Sequence, residues 1–252
     1  MNKLKSIGLS CAFFLLIAAP RAHGQTAEEI IAKHIAALGG KEKIQSIHSL
    51  YLEGVAVMQN GTEINIKTWK IKDKLYRQEI SFGMGNIVII VTPQKGWSLN
   101  PRSGSNSYTP MTDDQVKALQ PQLDPSGPLV DYAAQGSKIE LQGKDTVGGK
   151  ECYKVKLTPA TGQTVTYSID AQSWYVLRET RKGGGMFGGG GGRRGANADG
   201  EVNIDFGDYQ KTADGYIFPY TILTGSFGSK MNVEKLEVNK DVDVAALSKP
   251  SN

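Results

Sequence analysis

Residues 151–170 read ECYKVKLTPATGQTVTYSID. Tyr153, Val155 and Leu157 alternate with Lys154 and Lys156, and Val165, Tyr167 and Ile169 alternate with Thr164, Thr166 and Ser168. Successive side chains of a strand point to opposite faces, so both runs predict strands with one apolar and one wetted face. The turn Ala160-Thr161-Gly162 between them is too short for a parallel crossover, which needs a dozen or more residues. The pair is therefore antiparallel.

The same pattern extends both ways. His48–Gln59 and Thr62–Lys72 flank Asn60-Gly61, a strong hairpin signal. Leu75–Phe82, Asn86–Thr92 and Gly96–Leu99 follow across short polar or glycine-containing separators. Lys138–Lys144 and Trp174–Arg181 bracket the quoted pair, and Glu201–Tyr209, Tyr216–Gly225 and Lys230–Val238 complete the series. This predicts about eleven or twelve strands in one curved antiparallel sheet with helices on one face.

The helices are marked by their caps. Thr26 with Glu29, and Thr112 with Gln115, are capping boxes, in which a hydroxyl and a carboxylate or amide satisfy orphan backbone donors. The first box opens a helix with a stripe at Ile31, Ile35 and Leu38, with Ala27 and Ile30 beside it and Gly39 at its end. A short turn over Lys41–Ile47 follows. The second box opens Asp113–Gln120, which Pro121 stops. Asp113 and Asp114 suit the positive end of that helix without any chemistry. Leu129–Ala134 is read as a further helical turn.

Lys3 and Lys5, the apolar run Ile7–Ala19 and small residues at Ala22 and Gly24 read as a secretory signal peptide over 1–24. Removing 24 residues from 252 leaves a mature chain of 228. It also removes three of the 29 basic side chains, leaving 26 against 25 acidic ones. That balance argues against nucleic-acid binding. No later apolar run approaches the roughly 18 residues of a spanning helix. Residues 25–240 are read as one domain, with a flexible glycine-rich loop at 183–200 and a loosely held polar tail at 241–252.

Chemistry-bearing patterns are sparse. Cys152 is the lone mature cysteine and reads as a small buried hydrophobe. His34 falls off the first helix's stripe, and His48 starts a strand. Neither makes a zinc spacing or a nucleophile motif with Cys152. Glu53, Glu79, Asp170 and Asp205 read as solvated strand carboxylates. The sequence therefore implies no metal or cofactor, and an enzyme is disfavoured.

Several stretches resemble a known family. These are Ala27-Glu28-Glu29-Ile30-Ile31 with Leu38-Gly39-Gly40 and Ile44-Gln45-Ser46-Ile47; Leu141–Asp145 with Gly149–Val155; Ser168–Ala171 with Trp174–Arg178; and Tyr209–Gly215 with Phe218-Pro219. Together they resemble the outer-membrane lipoprotein-sorting proteins, periplasmic lipoprotein carriers with a half-barrel fold. The resemblance implies an incomplete antiparallel barrel with helices covering its concave face, and a hollow that receives a lipid or lipoprotein acyl chain. It transfers no individual ligand contact. Alternation alone offers Leu52, Trp69, Tyr76, Ile80, Trp97, Tyr167, Phe218 and Tyr220 as hollow-lining residues; each would serve equally as ordinary core, and a one-residue phase slip moves a strand's whole set to the other face. Such a hollow is expected to hold no convergent set of titratable groups. The competing reading is a cell-envelope module that binds a protein partner through an exposed apolar patch; a hydrolase stands third.

Overall fold

The computed structural model describes residues 25–250 apart from 59, 84, 102, 103, 105, 161, 162, 183–199 and 225–228. The signal segment 1–24 and the glycine-rich stretch 183–195 read from the sequence lie outside the described residues.

Thirteen strands form one antiparallel sheet. They are β1 (Ser49–Val57), β2 (Glu63–Ile71), β3 (Leu75–Phe82), β4 (Gly85–Val91), β5 (Gly96–Leu99), β6 (Thr109–Pro110), β7 (Lys138–Val147), β8 (Lys150–Thr158), β9 (Val165–Asp170), β10 (Val176–Lys182), β11 (Glu201–Lys211), β12 (Ile217–Thr224) and β13 (Ser229–Val238). Two meanders, β1 to β6 and β7 to β13, join where β1 pairs with β13. β6 and β7 remain edges, so the sheet is not closed into a barrel. Both edges are blunted. β6 is two residues long and includes Pro110, which has no N–H to offer; β7 carries a register shift between Leu141 and Lys144, where Gly143 sits at φ +97°.

The Asn60-Gly61 signal marks its hairpin one residue off. Gly61 N–H donates to Met58 O and Met58 N–H to Thr62 O, each at 2.9 Å, so three residues rather than two lie between the closing pair. Gly61 takes the left-handed φ of +81° that such a loop needs.

Helix α1 (Ala27–Ala37) begins with the Thr26–Glu29 capping box. Its buried stripe is Ala27, Ile30, Ile31 and His34, with Ile35 and Leu38 only partly buried. The stripe is rotated by about one residue from the expected one, because the helix lies over β8, β9 and β10 and meets Val155, Leu157, Tyr167, Ile169 and Val176. His34 is thus inside. A carbonyl only accepts, so His34 Nδ1–H donates to Trp174 O at 2.8 Å, and burial holds its pKa below the ordinary imidazole value. Gly39 and Gly40, at φ +109° and +96°, turn the chain into α2 (Lys41–Gln45). There Ile44, with Ile47 just beyond, packs on Leu50, Val130, Tyr216 and Val238. Helix α3 (Asp113–Leu119) has the Thr112–Gln115 box and runs into a 3-10 turn, Gln120–Leu123, that contains Pro121. Val116 and Leu123 pack on Tyr76, Ile89 and Val91.

The C-terminal tail differs from expectation. Val242, Val244 and Leu247 pack on Ile71, Leu75, Val88 and Ile90, on the sheet face opposite α1 to α3. Arg77, buried between Glu79 and the tail, donates to Leu247 O at 2.8 Å, at the carbonyl end of the short helix α4 (Val244–Leu247). The polar composition of 241–252 hides three apolar anchors and a fixed cation that receives them.

Two outcomes follow. A Cβ on Gly54 would run into the backbone oxygen of Asn232 on β13, so Gly54→Ala should lower unfolding free energy by about 1–3 kcal/mol in urea titration. Stability equal to the parent would contradict the tight β1–β13 approach. Deleting 241–252 should expose the Ile71–Leu75–Ile90 cluster, reducing Tm and raising hydrophobic-dye binding; an unchanged melt would show that the tail contributes nothing.

Candidate functional site

Directly opposed residues of neighbouring strands share a face. Through β2 and β3, Lys70 faces Tyr76, Thr68 faces Gln78, and Ile66 faces Ile80. Through β1 the same face continues with Leu50, Leu52, Gly54 and Ala56, and through β13 with Val238, Leu236, Val233 and Met231. It carries Ile222 on β12 and Phe206 on β11, then Glu179 on β10 with Tyr167 on β9 and Val155 on β8. This face also receives α1, α2 and α3.

The face is concave. Five strand intervals separate β2 from β10, roughly 24 Å on a flat sheet at about 4.8 Å each. Yet Lys70 on β2 senses the charges of Glu179 and Arg181 on β10, and Tyr76 on β3 senses Arg181. Charge coupling of that kind needs separations on the order of a screening length, about 8–10 Å. The sheet therefore curls until its two halves look at one another.

Six of the eight residues offered from alternation lie on this inner face: Leu52, Tyr76, Ile80, Tyr167, Phe218 and Tyr220. Trp69 and Trp97 do not. Trp69 opposes Tyr51 and Arg77, and Trp97 opposes Ile90, all on the outer face. The correction is a phase error: β2 carries apolar residues on both faces and β5 points Trp97 and Leu99 outward, where the docked tail buries part of the face.

The inner face is not uniform. Leu52, Ile64, Ile66, Tyr220, Ile222 and Leu236 form a partly buried apolar strip around buried Ala56, Met231 and Val233, and no helix residue belongs to that cluster. Beside it lies a charged group that sequence reading missed and that contradicts the expected absence of convergent titratable residues. Arg181 Nε donates to Glu179, whose residue is buried, and Tyr76 and Tyr167 are buried alongside, their phenols held well above the ordinary range by desolvation. Lys70 is partly buried, and desolvation of its ammonium brings its pKa down to about 8; Glu179 and Asp124 oppose that fall and Arg181 adds to it. Among the described residues Lys70 has no hydrogen-bond or ion-pair partner. Gln78 Nε2 donates to Thr68 Oγ1 at 3.2 Å, while its buried Oε1 has no partner. The signal was present: Ile64, Ile66, Thr68 and Lys70 are one alternating row, and its last member is a cation.

A pocket of about 240 Å³ lies elsewhere, on the outer face, lined by Tyr51, Trp69, Lys235, Glu237, Lys240 and Asp241 among others. It is polar and half-roofed by the tail. The inner strip is the apolar one.

Nucleophilic chemistry finds no assembled group among the described residues. The Cys152 thiol is buried and pushed up by desolvation, with Sγ 3.5 Å from Lys150 O. His34 is spent on Trp174, and His48 is exposed. Glu53 accepts from Tyr51, Glu79 from Arg77, Asp170 from Ser173 and Asp205 from Arg178. No set of three or more His, Cys, Asp or Glu among the described residues is placed to hold a metal ion. No described helix is long and apolar enough to cross a membrane.

The fold is shared with solved structures. A LolA superfamily protein from Nitrosomonas europaea superposes with TM-score 0.54 at 11% identity, over 90% of this chain and 99% of that one. A DUF1329 family protein from Desulfovibrio piger gives 0.53 at 13% identity, over 88% and 96%. A putative outer membrane lipoprotein-sorting protein domain from Vibrio parahaemolyticus gives 0.49 at 10%, over 88% and 100%. At these identities the likeness concerns the fold: the chain shares an open, helix-lined antiparallel sheet with these proteins. No sequence-family model matches the chain, and no curated protein does.

The unpartnered cation has a stability consequence. A lysine with folded pKa near 8 and unfolded pKa near 10.5 costs stability wherever the unfolded chain holds the extra proton. That cost is full below about pH 8 and disappears as pH rises towards 10.5. In ligand-free protein, Lys70→Met should therefore raise Tm at pH 7, and the gap should close between pH 8 and 10.5. A Lys70→Met protein less stable than its parent at pH 7 would contradict the burial described.

Proposed function

We propose that this protein is a periplasmic binder or carrier of a lipid or lipoprotein acyl group, exported by the 1–24 leader. The observation that carries the reading is the partly buried strip of Leu52, Ile64, Ile66, Tyr220, Ile222 and Leu236, left uncovered on the concave side of the sheet. Each methylene buried there contributes about 0.8 kcal/mol, so an acyl chain is held with few polar contacts. The shared LolA superfamily fold agrees with this reading.

A cell-envelope module that binds a protein through the same strip is the alternative, and the strip's apolar character is what favours it. A hydrolase lacks a nucleophile–base pair among the described residues and is not pursued.

Native mass spectrometry of protein exported to the periplasm and purified without delipidation should show an adduct of lipid mass. Ile222→Glu, which places a charge on the strip, should remove the adduct and weaken binding of a fluorescent acyl probe by tenfold or more. Protein without an adduct, and indifferent to the probe in both forms, would overturn the proposal in favour of the protein-binding reading.

A further inference from the structure

The inner trough has a polarity gradient along β2 and β3. Its rows run from Lys70 with Tyr76, through Thr68 with Gln78, to Ile66 with Ile80 and then Ile64. The six steps from Lys70 to Ile64 span about 20 Å at about 3.4 Å each. A single acyl chain, half the roughly 30 Å bilayer core, fits within that length. The polar end lies where the sheet is roofed, since Leu50 and Tyr76, which flank Lys70, pack against Ile44, Val116 and Leu123.

Two features at that end are left unsatisfied among the described residues. The Lys70 ammonium has no partner among them. Glu179 is occupied by Arg181, so the pair is neutral and gives Lys70 no contact. Asp124 faces Lys70 without touching it, its carboxylate instead accepting from the N–H of Ser126 at 2.9 Å and from the Ser126 hydroxyl. Gln78 keeps one buried amide atom free: as placed it is Oε1, and with the amide turned over it is an Nε2–H donor, since Thr68 can donate to Oε1 instead. A buried charge without a contact partner is costly, and an anion is its natural complement.

We propose that Lys70, assisted by Gln78 and by the Arg181 guanidinium, is the headgroup end of the trough and holds the carboxylate of a long-chain fatty acid whose tail lies along Ile66 and Ile80 towards Ile64. A monoanion gives Lys70 the contact partner that neither the Glu179–Arg181 pair nor Asp124 supplies. The tail then occupies the strip assigned above, so the inference rests on the acyl-binding reading and deepens it.

The test compares palmitate, 1-hexadecanol and dodecyl phosphate against the full mature chain by displacement of a fluorescent acyl probe at pH 7. Palmitate should bind at least tenfold more tightly than hexadecanol, and Lys70→Met should abolish that preference by weakening palmitate far more than hexadecanol. Lys70→Arg should restore it. Palmitate affinity should fall above about pH 8 in the parent but not in Lys70→Arg, with Glu179, Arg181, Asp124, Tyr76 and Tyr167 the charged and titratable groups facing the site. Lys70→Gln provides a second neutral variant, should Lys70→Met fail to fold. Equal binding of palmitate and hexadecanol in the parent, or palmitate binding unaltered by either neutral variant, would overturn the headgroup assignment while leaving acyl binding intact. Tighter binding of dodecyl phosphate than of palmitate would overturn the choice of a carboxylate. Failure of all three probes to bind the parent would instead overturn the acyl-binding reading itself.

Discussion

Burial of one face of a wide antiparallel sheet sets the terms for everything else in this molecule. Thirteen strands at about 4.8 Å spacing give roughly 58 Å of sheet measured across the strands. Three helices, each about 10 Å across, cover little more than half of that width. Two of them, α2 and α3, are only 5 and 7 residues long. The remainder of the apolar face has two ways to escape water: curl upon itself, or accept a ligand. The coupling of Lys70 to Glu179 and Arg181 shows the curl. The half-buried strip around Met231 shows that curling alone leaves apolar surface over.

The outer face is treated differently in its two halves. Around β7 to β9 the outer face carries charges such as Lys156 with Glu140, a pair that contributes little energy but keeps the face wet. Around β2 to β4 the outer face is apolar, and the tail of the chain covers it, with Arg77 tying the last turn down. Among the described residues, every apolar cluster except the inner strip includes residues of a helix or of the tail. That exception gives the strip its functional weight.

Much of this was legible in the sequence, because the signals were local. Both capping boxes formed as read, since the hydroxyl and its partner lie three residues apart and need nothing from the rest of the fold. β3 and β5 have the bounds that alternation and turn residues gave them. What failed depended on distant partners. Trp69 and Trp97 were placed on the inner face by alternation alone, while the tail that covers apolar residues on the outer face joins some 150 residues later. His34 was set outside the helix stripe, yet Trp174 O, 140 residues on, gives its ring a buried partner. The Lys70–Glu179–Arg181 group arises only when the sheet curls, so no window of sequence contains it. Its members nonetheless occupy inward positions of alternating rows, where a charge is out of place, and that was the available clue.

The account stands or falls on whether the concave strip is open to a guest. A crystal structure of protein exported to the periplasm and purified without delipidation addresses this directly. The account predicts elongated density along Ile66 and Ile80, between β2 and β12, with its polar end at Lys70. Side chains of Ile66, Tyr220 and Ile222 closing on one another across the strip, with no space between them, would contradict it.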